Sequence, residues 1–196
     1  TGEWFSKGGI TQFACSETQK FGHVTYFWNG NRSGKFDGET YQEVPSDVVP
    51  FEQRPWMKAA EIADAMIAAL RSGKYRTLRC NFANGDMVGH TGVFEAAVKA
   101  VETLDVCVGQ IVAAVQKAGG EVLITADHGN CENMFDHAHH QAHTQHTTQP
   151  VPFIYVGRPA SIKAGGALKD IAPSMLAMLG IAAPSEMTGQ SLIEFK

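Results

Sequence analysis

Glu121-Val122-Leu123-Ile124-Thr125-Ala126-Asp127-His128-Gly129-Asn130 is an apolar run that stops abruptly at an acid, an imidazole and a glycine. Its first five residues, Glu121–Thr125, predict a strand. The Gly119-Gly120 pair before it ends a long helical pattern in which Phe94, Val98, Val101, Leu104, Val108, Ile111 and Val115 share one face. Further upstream, Thr77–Phe82 reads as a strand and Trp56–Leu70 as a helix with Ile62, Met66, Ile67 and Leu70 on one side. Gln12–Cys15, His23–Trp28 and Val151–Val156 read as further strands, and Asp170-Ile171-Ala172-Pro173 as the capped start of a helix running to Gly180. Strands alternating with helices predict an α/β fold, with a mostly parallel sheet and helices on both faces. Asn29–Pro50, rich in Gly, Asn and Ser, interrupts this rhythm as an excursion holding a short strand at Thr40–Val44. No internal repeat or linker divides the chain, which reads as one domain or part of one.

The 196 residues are enough for one domain with a core of its own. Hydrophobic residues make up 44% and charged residues 18%, an ordinary globular balance. No apolar run reaches the roughly 18 to 20 residues of a membrane span, and no secretory leader pattern opens the chain. A net charge of -4, with no basic stretch, argues against nucleic acid as a partner. Cys15, Cys80, Cys107 and Cys131 form no CxxC pair, a pattern suited to reduced thiols in the cytoplasm.

In open α/β sheets, ligands gather at the carboxyl ends of the strands. Two polar clusters fall there. Asp86 and His90 stand four apart around a turn after Thr77–Phe82, where a carboxylate and an imidazole could converge on one ion. Alternatively, Asp86 caps the next helix and His90 lies on the surface. Asp127 and His128 would point to opposite faces of a regular strand, but the turn that Gly129 permits brings both within reach of one metal. The bland reading there is an Asx-turn beside an exposed histidine.

Of the eight histidines, six lie between His128 and His146. His137, His139, His140 and His143 read as loop, whereas His146 sits at the loop's base, carried straight into the strand Val151–Val156. Two Asp and three His form a donor set without sulfur, suited to Mn²⁺ or Zn²⁺ and wrong for thiolate sites. Five such ligands are too many for one catalytic ion and right for most of a pair, the usual clamp for phosphoryl displacement. Lys20 lies between two candidate strands, where an ammonium could neutralise a transferring phosphoryl group.

Ser16-Glu17-Thr18-Gln19-Lys20-Phe21-Gly22-His23, Asn84-Gly85-Asp86-Met87-Val88-Gly89-His90-Thr91-Gly92, Thr125–Asn130, His146-Thr147-Thr148-Gln149-Pro150 and Met187-Thr188-Gly189-Gln190-Ser191-Leu192 occur in this order. Together they closely resemble the cofactor-independent phosphoglycerate mutases of the alkaline phosphatase superfamily, from about Gly8 to Leu192. The aspartate–histidine pair alone is superfamily-wide; the Asp86-to-Thr91 motif with the Lys20 segment is far more specific. The resemblance implies that residues 1–196 are the C-terminal portion of the metal-binding phosphatase domain. It implies interconversion of 2-phosphoglycerate and 3-phosphoglycerate through a phosphoserine, in the cytoplasm, by a monomer carrying two divalent metals, most often Mn²⁺ (Zn²⁺, Co²⁺ and Mg²⁺ being the alternatives). By position, Asp86, His90 and His146 would hold one metal, Asp127 and His128 the other, and Lys20 the substrate phosphoryl group. The catalytic serine matches nothing in this chain, nor do the glycerate-gripping arginines of the inserted transferase domain, so the 196 residues alone are expected to be inactive. Another metal-dependent phosphatase or phosphomutase of the superfamily, or a non-catalytic metal-binding domain, would share the ligand pattern.

Overall fold

Gln12–Glu17 is buried at all six positions, and this strand, β1, is the middle of the first sheet. The computed structural model describes residues Thr1–Lys196. The other strands are Glu39–Val44 (β2), Thr77–Asn81 (β3), Val122–Thr125 (β4), Phe135–Asp136 (β5), Gln141–Ala142 (β6), Phe153–Val156 (β7), Ala160–Ile162 (β8) and Ile193–Phe195 (β9). The helices are Gly2–Lys7 (α1), Ala59–Arg71 (α2), Asn84–Gly89 (α3), Phe94–Lys117 (α4) and Ile171–Met178 (α5). The α/β class is the one the alternation predicts. Two compact units divide the chain, one of Thr1–Ala114 with His128–Pro150, the other of Val115–Asp127 with Val151–Lys196.

In the first unit β1 lies between β2 and β3, parallel to both, with Gln12 opposite Glu39 on one side and Thr77 on the other. Parallel neighbours need a crossover. Between β2 and β3 that crossover includes α2, whose Ile62, Met66 and Ala69 pack against Phe13 and Cys15. Between β1 and β2 it includes His23–Phe27, expected above as a strand and found as a π-helical turn. Both edges of β1 are already taken, so a strand there would have had no place beside it. The turn is held instead by its own bonds: the Thr25 hydroxyl donates to Phe21 O at 2.7 Å and Arg79 Nε to Val24 O at 2.8 Å. Lys20 accordingly ends a 3-10 turn, Thr18–Lys20, and does not sit between two strands.

Arg79 is also the cationic partner of a buried carboxylate. It donates to Glu39 Oε1 at 2.7 Å, while Glu39 Oε2 accepts from Asn29 Nδ2 at 2.8 Å, Tyr41 OH at 2.5 Å and the Phe36 N–H at 2.9 Å. A buried charge is tolerable when paired and hydrogen-bonded in this way.

Two helices differ from expectation. Trp56 is half exposed, and α2 begins at Ala59. On α4 the buried residues are Ala96, Ala97, Ala100 and Cys107, whereas Phe94, Val98 and Val101 of the predicted face are exposed. The reason is close approach: Cys107 clusters with Ala59 and Ala63 of α2, and Ala96 and Ala100 with Ala83 and Val88. Small side chains at a helix contact let backbones come near, so here they outrank the bulkier stripe.

In the second unit β4 and β7 pair antiparallel, Val122 opposite Val156, a direction that the expected mostly parallel arrangement did not specify for this pair. No α-helix lies between them in the chain to serve as a crossover. Asp170 precedes α5 but makes no side-chain cap; its carboxylate accepts from the Ala167 and Gln190 amides, both at 2.8 Å. All four cysteines are free. Cys15 and Cys80 stand directly opposite one another on β1 and β3, and burial pushes their thiols up to about 11 and about 12. No helix is long and apolar enough to cross a membrane.

Candidate metal centre

The site begins where β3 ends. Helix α3 carries Asp86 in its first turn and delivers His90 as its C-terminal cap residue, four positions on. Residues at that spacing share a helix face. Asp86 Oδ1 meets His146 Nε2 at 2.9 Å, His90 Nε2 at 3.0 Å and His128 Nε2 at 3.8 Å. Its other oxygen, Oδ2, meets Lys20 Nζ at 2.5 Å. The His128 and His146 rings stack with centroids 3.6 Å apart and planes 20° from parallel. Lys20 and Asp86 are nearly enclosed, with side chains 12% and 13% exposed, while His146 at 48% opens to solvent.

One donor atom each of Asp86, His90 and His146 lies within 4.8 Å of the others. The tautomer of His90 decides what this set suits. Its Nδ1 lies 2.6 Å from Thr144 O, a carbonyl that can only accept, so Nδ1 carries the proton. In the neutral ring Nε2 is then a lone pair, and it faces both Asp86 Oδ1 and His146 Nε2 at 3.0 Å. That lone pair and the Asp86 carboxylate converge with His146 Nε2 on one point, where the three could hold a cation. One carboxylate and two imidazoles, with a backbone carbonyl fixing one ring from behind, are a donor set that could hold a divalent ion. Burial pushes the Asp86 carboxyl up, but the hydrogen-bonded Lys20 ammonium overrides this and holds it down to about 2.

Of the residues named from sequence, the structure gathers Lys20, Asp86, His90, His128 and His146 around one carboxylate. Asp127 is exposed and is the last residue of its segment in the second unit. His137, His139, His140 and His143 belong to the β5–β6 hairpin and its flanks, where His139 Nδ1 pairs with Asp136 at 2.7 Å. Sequence reasoning missed the supports. Asn130, 5% exposed, reaches Asp86 O and Oδ1 with its amide at 3.4 and 3.3 Å. A Cβ on Gly89 would run into that same side chain, 2.8 Å from its Cγ, which is why α3 ends on a bare backbone. Asn130 had a signal, its place at the end of the strand-to-turn motif; Thr144, which contributes only a carbonyl, had none.

A parallel sheet with carboxylate and imidazole donors beyond its strand ends defines a metal-dependent enzyme scaffold, and the chain belongs to the Metalloenzyme superfamily, whose family model matches residues 1–183. Its relatives are more particular. Over all 196 residues it is 58% identical to the 2,3-bisphosphoglycerate-independent phosphoglycerate mutase of Chromobacterium violaceum, covering 100% of this chain and 39% of that protein. It is 54% identical over 197 residues to the enzyme of the same name from Ectopseudomonas mendocina, with the same two coverages. The crystal structure of Leishmania mexicana phosphoglycerate mutase at low cobalt concentration matches with a TM-score of 0.93 and 41% identity, across 100% of this chain and 39% of that one. The family likeness read from the Lys20 and Asp86 motifs is therefore borne out. The chain spans 39% of the length of these relatives.

Proposed function

We propose that this chain is the metal-binding, C-terminal portion of a cofactor-independent phosphoglycerate mutase, converting 2-phosphoglycerate and 3-phosphoglycerate into each other through a phosphoserine. The observation that carries the reading is the single carboxylate of Asp86, which holds imidazoles on one oxygen and the Lys20 ammonium on the other. That geometry puts a fixed organic cation beside the place where a metal fits, which a purely structural metal site has no use for. We assign Asp86, His90 and His146 to one divalent ion and Asp127 with His128 to a second; the mixed oxygen and nitrogen donors suit manganese or zinc, and the family resemblance favours manganese. Bound there, such ions supply electrostatic stabilisation of phosphoryl oxygens.

The chain's own residues do the rest. Asp86 orients Lys20 through a 2.5 Å ion pair, and Lys20 keeps its compact ammonium at the phosphoryl group. His90, its Nδ1–H committed to Thr144 O, can present only the Nε2 lone pair. The nucleophile is assigned to a serine of the complete protein outside these residues, since Ser16, the serine nearest Lys20 in sequence, is buried and donates to Asn81 O at 3.0 Å. Cytoplasmic location and a monomeric complete enzyme complete the reading, consistent with four free thiols.

Lys20→Ala in the complete protein tests it, with metal content checked first. Loss of one preorganised charge partner is expected to lower kcat, along with kcat/KM, by about 10² to 10³. Lys20→Arg should rescue only in part, because a planar fork cannot take the place of an ammonium. Parental turnover by a metal-loaded Lys20→Ala enzyme would refute the assignment.

A further inference from the structure

His146 is half exposed, so packing alone does not fix its ring, and a metal ligand has to be held to a fraction of an ångström. The segment that carries it is fastened by a residue with no role so far. Glu132 accepts the Thr147 hydroxyl on Oε1 and the Asn130 N–H on Oε2, the latter at 2.6 Å. Thr147 follows His146, and Asn130 lies two residues after His128. Thr147 is tied a second time, its N–H donating to Gly129 O at 2.9 Å in an isolated antiparallel bridge. The junction closes over bare backbone, for a Cβ on Gly129 would collide with both Thr147 Oγ1 and the Glu132 carboxylate. Asn130 then reaches onward to Asp86. Thr147, Glu132, Asn130 and Asp86 thus form a continuous polar chain linking the three segments that bear the imidazoles and the carboxylate.

We propose that Glu132 is a positioning residue of this centre: by gripping Thr147 and the Asn130 amide together, it sets the His128–His146 stack that brings both rings onto Asp86. The inference rests on the metal-binding reading of the cluster. Outer partners of this kind hold a ligand ring in one orientation, and their loss is felt in metal affinity. A mere loop staple would instead affect folding stability and leave the bound metal's surroundings alone.

The test is cobalt(II) titration of the complete protein, followed by visible absorption, which reports the geometry of the ligand shell. Thr147→Val removes the hydroxyl and keeps the shape; Thr147→Ser keeps the hydroxyl. Thr103→Val, on the exposed side of α4 where the hydroxyl bonds only to Lys99 O at 2.8 Å, is the matched control. Glu132→Ala and Thr147→Val are expected to weaken cobalt binding about 10- to 100-fold and to alter the visible bands. Thr147→Ser and Thr103→Val should bind as the parent does. Parental affinity and spectrum in folded Thr147→Val would overturn the proposal, as would equal weakening in Thr147→Ser; this pair decides even where Glu132→Ala does not fold. A parent protein that takes up no cobalt would overturn the metal reading and the clasp with it, an outcome distinct from the failure of the clasp alone.

Discussion

At Asp86 a single carboxyl group answers to burial, an ammonium and imidazoles at once, and the ammonium prevails: the group stays ionised down to about pH 2. In the unfolded chain an aspartate takes its proton near pH 3.9. Between those values the unfolded chain binds more protons than the folded one, so stability rises with pH across the interval. The metal-free protein should therefore lose this contribution as pH falls from about 4 towards 2. Urea unfolding across that range should show a steeper acid decline for the parent than for Asp86→Asn; parallel declines would mean that the carboxyl is not held down. The approach of Asp86 to His90 was legible because i, i+4 spacing follows from helix geometry alone. His146 was legible because a proline-led strand begins just after it, anchoring one histidine among six. Glu132 was not, since nothing in its neighbours shows that the segments after His128 and before Pro150 bridge at Gly129 and Thr147.

At the scale of elements, β1 and α2 carry the first unit's core. Ile62 is fully buried beneath Phe13 and Cys15. Ile62→Ala should cost about 2 to 5 kcal/mol and Ile62→Val about 0.5 to 1.5 kcal/mol, read from denaturant midpoints. A cost for Ile62→Ala below that of Ile62→Val would show that the core had collapsed around the gap or was never packed there. Strands with one strong composition, such as Thr77–Asn81, were readable from the chain. The π-helical turn His23–Phe27 was not, because Val24, Thr25, Tyr26 and Phe27 are good strand formers and nothing in their own composition shows that β2 and β3 take both places beside β1. The first half of the α4 face, Phe94, Val98 and Val101, was misjudged for a related reason. Periodicity weighs residues by hydrophobicity, whereas the contact with Ala83 and Val88 selects them by size and Ala96 and Ala100 win; towards α2, Leu104 and Ile111 of the expected face do pack inward beside Cys107.

At the scale of the molecule, the α/β class followed from alternation, but the direction of β7 did not. Val151–Val156 has the composition of a parallel-sheet strand, and its antiparallel pairing with β4 depends on the path of the intervening loop. Within the first sheet, the buried thiol of Cys15 gives the fold a chemical clock. Alkylating reagents attack the thiolate, and Cys15, fully buried with its thiol pushed up to about 11, lies beneath Ile62, Met66 and Ala69 of α2, which would have to lift before a reagent could enter. Its alkylation by iodoacetamide near neutral pH should thus be limited by opening of the contact between α2 and β1, becoming independent of reagent concentration once every opening is trapped. Cys131, only partly buried, should react first and in the closed protein. Mass spectrometry of the modified peptides over time would give the opening rate directly; labelling of Cys15 as fast as that of Cys131 would mean that the central strand breathes far more freely than its burial implies.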